Sequence, residues 1–386
     1  MPPPFLDADT IAQNCAEAQL GHTPTQQLLA VAQRILADPH CLMVVRAAHH
    51  YLYDTEEDDD AALQQADLVM GADAELLHAL LILDSMRLVR EKHHERGVPG
   101  DISWAVNQRH AVAWLTAAIS QRGHVGIREW HPAWFRTVGS GELYRLGRLE
   151  FVLQAWEEPF RVYTHVDTHE VIVLAEAGQR LTDDGYLVGP TTWTTTFVTA
   201  DDGVRGHPVS PRGNVHRDQV RLPQPLWQVV LAPGDWILDL HVPAEGDLTL
   251  AALRDALQLA EGFFEQFYPQ QPVVAYLCDS WLFSPQLETM LPPDSRILRW
   301  QHEGYLLPSE SGSDTFLAFT FGSPTIDLAT APRDTRLRRA VIDHLAANKP
   351  LRCGAWLLLR RDRDRFGAQP YDGVSDLAIA RLRKQG

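Results

Sequence analysis

His241 closes an apolar stretch, residues 236–242, and Asp239 lies two positions before it. Alternate side chains of a strand share a face, so a carboxylate and an imidazole stand side by side at its end. A histidine titrates near neutrality and can serve as a base, whereas the simpler reading is a strand-end histidine that hydrogen-bonds the backbone. The next apolar stretch, residues 273–283, places Tyr276, Cys278 and Ser280 on one face and Leu277, Asp279 and Trp281 on the other. Cys278 is a nucleophile if His241 reaches it as base. A cysteine in so apolar a strand is more often a small buried hydrophobe, and Asp279 can serve simply to fix the strand end.

Other constellations are weaker. His165, Asp167 and His169 would share a face of an unbroken strand and could hold a metal. Asp167-Thr168 reads as a turn that scatters them, so no metal site is expected. The pairs His49-His50 and His93-His94 cannot converge, because neighbours on a helix do not face each other. Arg145 and Arg148 flank Gly147 and could clamp a carboxylate or phosphate, or pair with Glu142, Glu150 or Glu157. The run from Glu56 to Asp60 reads as a solvated loop or helix start. No GxSxG elbow, GxxxxGK[ST] loop, GxGxxG after the first strand or HExxH is present. The four cysteines, Cys15, Cys41, Cys278 and Cys353, lie far apart without CxxC spacing, which suggests neither disulfides nor structural zinc.

The elements that carry these residues divide in two. Up to about residue 122 the apolar residues recur at helical spacing: Leu28, Val31 and Ile35; then Val45, Ala48 and Leu52; then Leu76, Leu80 and Leu83; then Val112, Leu115 and Ile119. Asp101 or Ser103 is the expected cap of the last of these helices and Gly123 its end. Beyond residue 125, strands are expected at 143–156, 160–166, 170–175, 193–199, 226–231 and 236–242, the last two joined as a hairpin by Pro233-Gly234-Asp235. A helix over 249–267, a strand over 273–283, a short helix over 285–291, a strand over 297–301, a helix over 334–346 and a strand over 355–359 follow. A helical domain over 1–124 and a mixed α/β domain over 125–386 are therefore expected.

Three segments carry a family resemblance. His241-Val-Pro-Ala-Glu-Gly-Asp-Leu-Thr249, the helix end Gly262-Phe-Phe-Glu-Gln-Phe-Tyr-Pro269, and Tyr276-Leu-Cys-Asp-Ser-Trp-Leu-Phe-Ser-Pro-Gln-Leu287 resemble a bacterial acyltransferase family. That family joins a helical N-acyltransferase N-terminal domain to a GNAT-like C-terminal domain. Arg145-Leu-Gly-Arg-Leu-Glu-Phe151 and Leu337-Arg-Arg-Ala-Val-Ile-Asp-His-Leu345 fit the same picture. The resemblance implies an α/β (α+β) fold in which a GNAT-like mixed sheet, flanked by helices, follows a helical domain. It implies acetyl-CoA or another acyl-CoA as co-substrate, with the pyrophosphate at the start of helix 249–267 beside Val242, Gly246, Asp247, Leu248 and Thr249. In that setting His241 would be the base, and Tyr276 or Ser280 would protonate the leaving thiolate. The loop departs from the usual Arg/Gln-x-x-Gly-x-Gly signature: it has one glycine, Gly246, between Glu245 and Asp247. Asp247 or Thr249 can equally be a plain helix cap.

With 34 Lys and Arg against 50 Asp and Glu, the net charge is −16. Such a surface repels phosphate backbones and anionic lipid, which argues against nucleic-acid and membrane partners. No apolar run approaches bilayer length and the N-terminus lacks the pattern of a secretory signal, so a soluble, cytoplasmic protein is expected. The expected function is N-acyl transfer from acyl-CoA to an amine of a small molecule or peptide, with the helical domain shaping the acceptor site. The alternative is a non-catalytic, GNAT-shaped ligand sensor or partner-binding protein.

Overall fold

The computed structural model describes residues 2–55 and 59–384, so Glu56, Glu57 and Asp58 of the acidic run lie outside the described residues. The chain separates into two compact units, Met1–Arg145 and Leu146–Gly386. The boundary falls some twenty residues later than the change of texture after residue 124, because helix Pro132–Gly139 belongs to the first unit.

The first unit is helical. Its central helix, Ala74–Glu95, buries Leu77 and every residue from Ala79 to Leu83, so it is enclosed on all sides by its neighbours. Asp84 is buried in the same helix. Burial alone would raise its carboxyl, but hydrogen bonds from His49 and a bidentate Arg87 hold it below the usual range. Helices His22–Ala37 and Pro39–Tyr53 meet where Asp38 caps the second of them through the His40 and Cys41 N–H groups. The expected cap at Asp101 or Ser103 is absent: Pro99 precedes helix Gly100–Asn107 and Ser103 is buried against His93. Gly123, in the left-handed conformation, ends helix Ala113–Arg122 as expected. Among the described residues no single helix is long and apolar enough to cross a membrane.

The second unit is built on a mixed sheet. Strands Leu149–Ala155, Trp236–His241, Val273–Ser280, Gly354–Leu359 and Tyr305–Pro308 lie side by side in that order. Only Trp236–His241 and Val273–Ser280 run parallel, and helix Leu250–Phe267 makes the crossover between them. That helix buries Leu253, Ala256, Leu257, Ala260, Phe263 and Phe264; of the stripe read from the sequence (Leu250, Leu253, Leu257, Ala260, Phe263, Phe264 and Phe267) only the two end residues, Leu250 and Phe267, are not fully covered. A second sheet runs Trp227–Leu231, Phe160–His165, Val171–Ala175, Gly203–Val209 and Phe197–Ala200.

Several local expectations give way to tertiary packing. The stretch 143–156 is two strands, Leu143–Leu146 and Leu149–Ala155, broken by a turn in which Gly147 has φ +64°. The hairpin expected at Pro233-Gly234-Asp235 does not form. Trp227–Leu231 pairs with Phe160–His165, whereas Trp236–His241 pairs with Leu149–Ala155. The turn is instead a corner between sheets, held by the Trp156 N–H on the Asp235 carbonyl and the Gly234 N–H on the Trp156 carbonyl. Residues 297–301 are helical (Arg296–Gln301), because Leu298, Trp300 and Gln301 are all buried and the Gln301 amide donates to the carbonyls of Leu282 and Ser284. Residues 193–199 split at Thr195, whose hydroxyl donates to the Glu176 carbonyl.

Candidate active site

The parallel ladder between Trp236–His241 and Val273–Ser280 stops early. Its last paired rung is Asp239 with Leu277, although both strands continue. Beyond that rung the Leu240 carbonyl accepts the Cys278 thiol at 3.0 Å, where a closed ladder would supply a backbone N–H. The two strands splay, and the helix Leu250–Phe267 begins beside the opening.

The start of that helix follows from its loop. Thr249 is extended and its hydroxyl accepts the Ala252 N–H, as an N-cap should. Gly246 has φ +99°, a conformation that side-chain-bearing residues rarely adopt, and a Cβ there would lie 3.2 Å from the Arg148 side chain. Arg148 spans the loop, donating to the carbonyls of Pro243 and Asp247 at 2.8 and 2.9 Å. Arg296 donates to the Asp247 carboxylate. Glu245 and Gly246 are exposed and Val242, Leu248 and Thr249 half-buried. Asp247 therefore does not fill the helix start. Its charge is met by Arg296, and two guanidinium groups border a helix end that already favours anions. The loop can thus hold an anion without the usual glycine pattern.

The strand register sorts the candidate side chains by face. Leu238 lines a cavity of about 180 Å³ together with Glu261 and Phe264 of the crossover helix, so its face is the helix face. Tyr276 is level with Leu238, which puts Tyr276, Cys278 and Ser280 on that side. Asp239 and His241 point to the opposite face, where Glu150 is level with His241 and Val152 with Asp239. The sequence-based pairing of Cys278 with His241 is therefore not made, because the sheet stands between them. Burial pushes the Cys278 thiol well above its ordinary value, with the charges of Asp239 and Asp279 adding to it. A protonated thiol bonded to a carbonyl is not a nucleophile. Cys278→Ala is expected to leave acyl transfer within about threefold of wild type, its cost confined to roughly 1 kcal/mol of stability. Thiol release by the two proteins side by side checks this.

Tyr276 sits in the closed part of the ladder, fully buried, and burial followed by the charge of Glu261 pushes its phenol far up. Ser280, half-buried at the open end, accepts the Leu282 N–H at 3.3 Å. The 180 Å³ cavity lies at the other end of the strands, next to Val273, away from the splay. The His165 group is a turn, as expected: the His165 ring accepts the N–H groups of Asp167 and Thr168, and His169 turns out at φ +58°. Among the described residues no three His, Cys, Asp or Glu side chains gather as a metal site.

What the sequence reading missed is that the carboxyls of Asp239, Asp279 and Glu158 come close enough to act on one another. His241 Nε2 is 3.5 Å from Asp239 Oδ2. Burial, then the charges of Asp279 and Glu158, push the Asp239 carboxyl up to about 7, against a lowering contribution from the Leu240 N–H. Protein crowding likewise raises Glu158, helped by Asp279, Glu310 and Glu157. The protein packed around its carboxyl raises Asp279 too, although the residue as a whole reaches solvent, and the Ser309 hydroxyl at 2.6 Å opposes the rise. No spacing in the chain links positions 158, 239, 279 and 309. Only the sheet order brings them together.

These shifts have a sign. The unfolded chain releases the Asp239 proton near pH 4 and the folded chain holds it to about pH 7. Stability therefore falls as pH rises between those values. Each unit is worth about 1.4 kcal/mol, so Asp239→Asn is expected to melt several degrees above wild type at pH 8 and above it by only about a third of that margin at pH 5. Calorimetric melts at the two pH values check this.

The comparisons with known proteins bear on family and fold. Residues 143–358 match the model of the GNAT-like C-terminal domain, and residues 9–140 match the N-acyltransferase N-terminal domain. No curated protein matches. Among solved structures, the chain is similar to an acyltransferase in complex with decanoyl-CoA and teicoplanin, at 21% identity and a TM-score of 0.57 over 91% of this chain and 88% of that one. A mutant of an acyltransferase in complex with octanoyl-CoA aligns equally well, with the same identity, TM-score and coverage. An acyltransferase with decanoyl-CoA follows at 20% identity, a TM-score of 0.55 and coverage of 91% and 87%. At such identities the likeness is one of fold. With the C-terminal model spanning more than half of the residues and the N-terminal model most of the others, the chain belongs to the acyltransferase family in which an N-acyltransferase N-terminal domain precedes a GNAT-like C-terminal domain.

Proposed function

We propose that this protein transfers an acyl group from acyl-CoA to an amine of a small-molecule or peptide acceptor. The observation that carries the reading is the early end of the parallel ladder at Asp239 and Leu277, beside a helix start capped by Thr249 and bordered by Arg148 and Arg296. The helix end and the two guanidinium groups suit the pyrophosphate of coenzyme A. The related folds solved with decanoyl-CoA and octanoyl-CoA make medium-chain acyl groups the first donors to test.

Asp239 is the proposed base, with His241 beside it to share and pass on the proton. A carboxyl titrating near 7 is an effective acceptor at neutral pH. As the amine nitrogen bonds to the thioester carbon, its proton goes to Asp239. The C–S bond then breaks, its electron pair stays on sulfur, and the thiolate takes a proton. Ser280 at the open end of the splay, rather than the enclosed Tyr276, is the nearer candidate for delivering that proton. Asp239 and Ser280 lie on opposite faces of the sheet, so they would reach the one thioester carbon through the gap that opens beyond the last paired rung.

Titration calorimetry with coenzyme A and octanoyl-CoA tests binding. Thiol release in the presence of amines, including teicoplanin, tests transfer. Saturable binding together with amine-dependent release is the expected result. No heat at millimolar ligand would remove the basis of the proposal and favour the non-catalytic reading.

A further inference from the structure

The carboxyl of Asp279 has no role in the mechanism above, yet it is held in a defined place. Asp279 is one strand across from Asp239 and two residues past its level, on the same face. Strand Gly354–Leu359 separates Asp279 from Tyr305–Pro308, and the register levels Asp279 with Ala355 and Ala355 with Leu307. Ser309, two residues beyond Leu307, is thereby brought to the same face. Its Oγ accepts the Ser311 N–H at 3.0 Å, which leaves its own hydrogen to point at Asp279 Oδ2, 2.6 Å away. Among the described residues neither Asp239 nor Asp279 forms an ion pair with a lysine or arginine; the neighbour of Asp239 is the His241 ring, 3.5 Å away. Two carboxyls on one face, the second fixed by a buried serine and neither met by a lysine or arginine, raise each other's proton affinity.

We propose that Asp279, oriented by Ser309, is a positioning residue that acts through Asp239: its fixed charge on the same face of the splay decides when Asp239 gives up its proton. This rests on the transfer reading for its purpose but not for its test. The groups facing Asp239 are His241 on its own strand, Asp279 on the parallel strand, Glu158 in the connection after Leu149–Ala155, and, further out, Glu157, Glu310 and Glu150. The carboxyl of Asp279 is held by the hydroxyl of Ser309, a side chain from the end of a third strand. The elevated proton affinity of Asp239 is consistent with this, Asp279 being the largest contribution after burial.

The test is a carboxyl titration that needs no substrate. With aspartate labelled at the 13C carboxyl, the Asp239 resonance is identified by its loss in Asp239→Asn. In Asp279→Asn its midpoint should fall by about half to one pH unit, and in Ser309→Ala it should fall less, in the same direction. Raising ionic strength in the wild type should also lower it, since the intervening site reaches solvent. A residue that merely braces the sheet would leave the midpoint where it is. A midpoint unmoved in both variants, or raised in either, overturns the proposal, and if Asp279→Asn does not fold, Ser309→Ala decides. Failure of the transfer reading is seen separately, as absence of thiol release by the wild type at every pH. If transfer is observed, the pH profile of kcat/KM should shift with the titration.

Discussion

Asp239→Asn lowers kcat for acyl transfer by about 10²–10⁴-fold, the usual range for loss of a general base, and leaves coenzyme A affinity unchanged. The separation is expected because Asp239 is on the face of the sheet opposite the crossover helix, while the loop that would hold the pyrophosphate packs against Arg148 and Arg296. Asparagine is isosteric and cannot accept a proton into a charged state. The wild-type rate should rise with pH through an inflection near 7, where the Asp239 proton leaves. In the variant that inflection should be gone, and any residual rate should rise only as free amine appears at higher pH. If His241 alone were the base, Asp239→Asn would move the inflection and keep most of the rate. Thiol release against pH, with calorimetric binding of octanoyl-CoA measured on the same preparations, separates these outcomes.

Gly246→Val weakens coenzyme A binding by about 10- to 100-fold, a loss of roughly 1.4 to 2.8 kcal/mol. Two causes act together. The backbone at φ +99° is closed to a β-branched residue, and the new Cβ would meet Arg148 at 3.2 Å. The loop must change course or Arg148 must leave the carbonyls of Pro243 and Asp247. Either change moves the helix entrance, because Thr249 is only three residues on. The overall melting temperature should drop by just a few degrees, since the loop is exposed and the helix stripe remains buried. Glu245→Gln should act in the opposite sense, strengthening binding modestly by removing an exposed negative charge near the anion, an effect that fades as salt rises. Calorimetry in low and high salt reads both variants. Gly246→Val with unchanged affinity would place the coenzyme elsewhere.

Much of the frame was legible in the chain. The helix over 249–267 was readable from its threonine, its apolar stripe and its closing proline, because capping and periodicity are local effects. The order strand, loop, helix, strand was likewise readable, and segments within it carried the resemblance to the family. The face assignments within strand 273–280 also held, since alternation follows from the pleat. Which of those faces met which neighbour was not available from one chain. A Cys278–His241 pairing was one option the sequence left open, because both sit near the ends of successive strands. Whether they share a face depends on the register, and a shift of one residue reverses it.

The sequence by itself determined the division into helices followed by mixed sheet, the cap at Thr249, the helix end at Gly123 and most of the residues that could do chemistry. These depend on contacts within a few residues, where backbone sterics and apolar spacing are decisive. Only the tertiary structure decided which of those residues act together. The ladder ends at Asp239, the corner at 233–235 sends neighbouring strands to different sheets, and Arg148 and Arg296 come to one loop from positions about a hundred and fifty residues apart. The gathering of Glu158, Asp239, Asp279 and Ser309 is of the same kind. It depends on sheet order and on burial, and the proton affinity of a carboxyl responds to both.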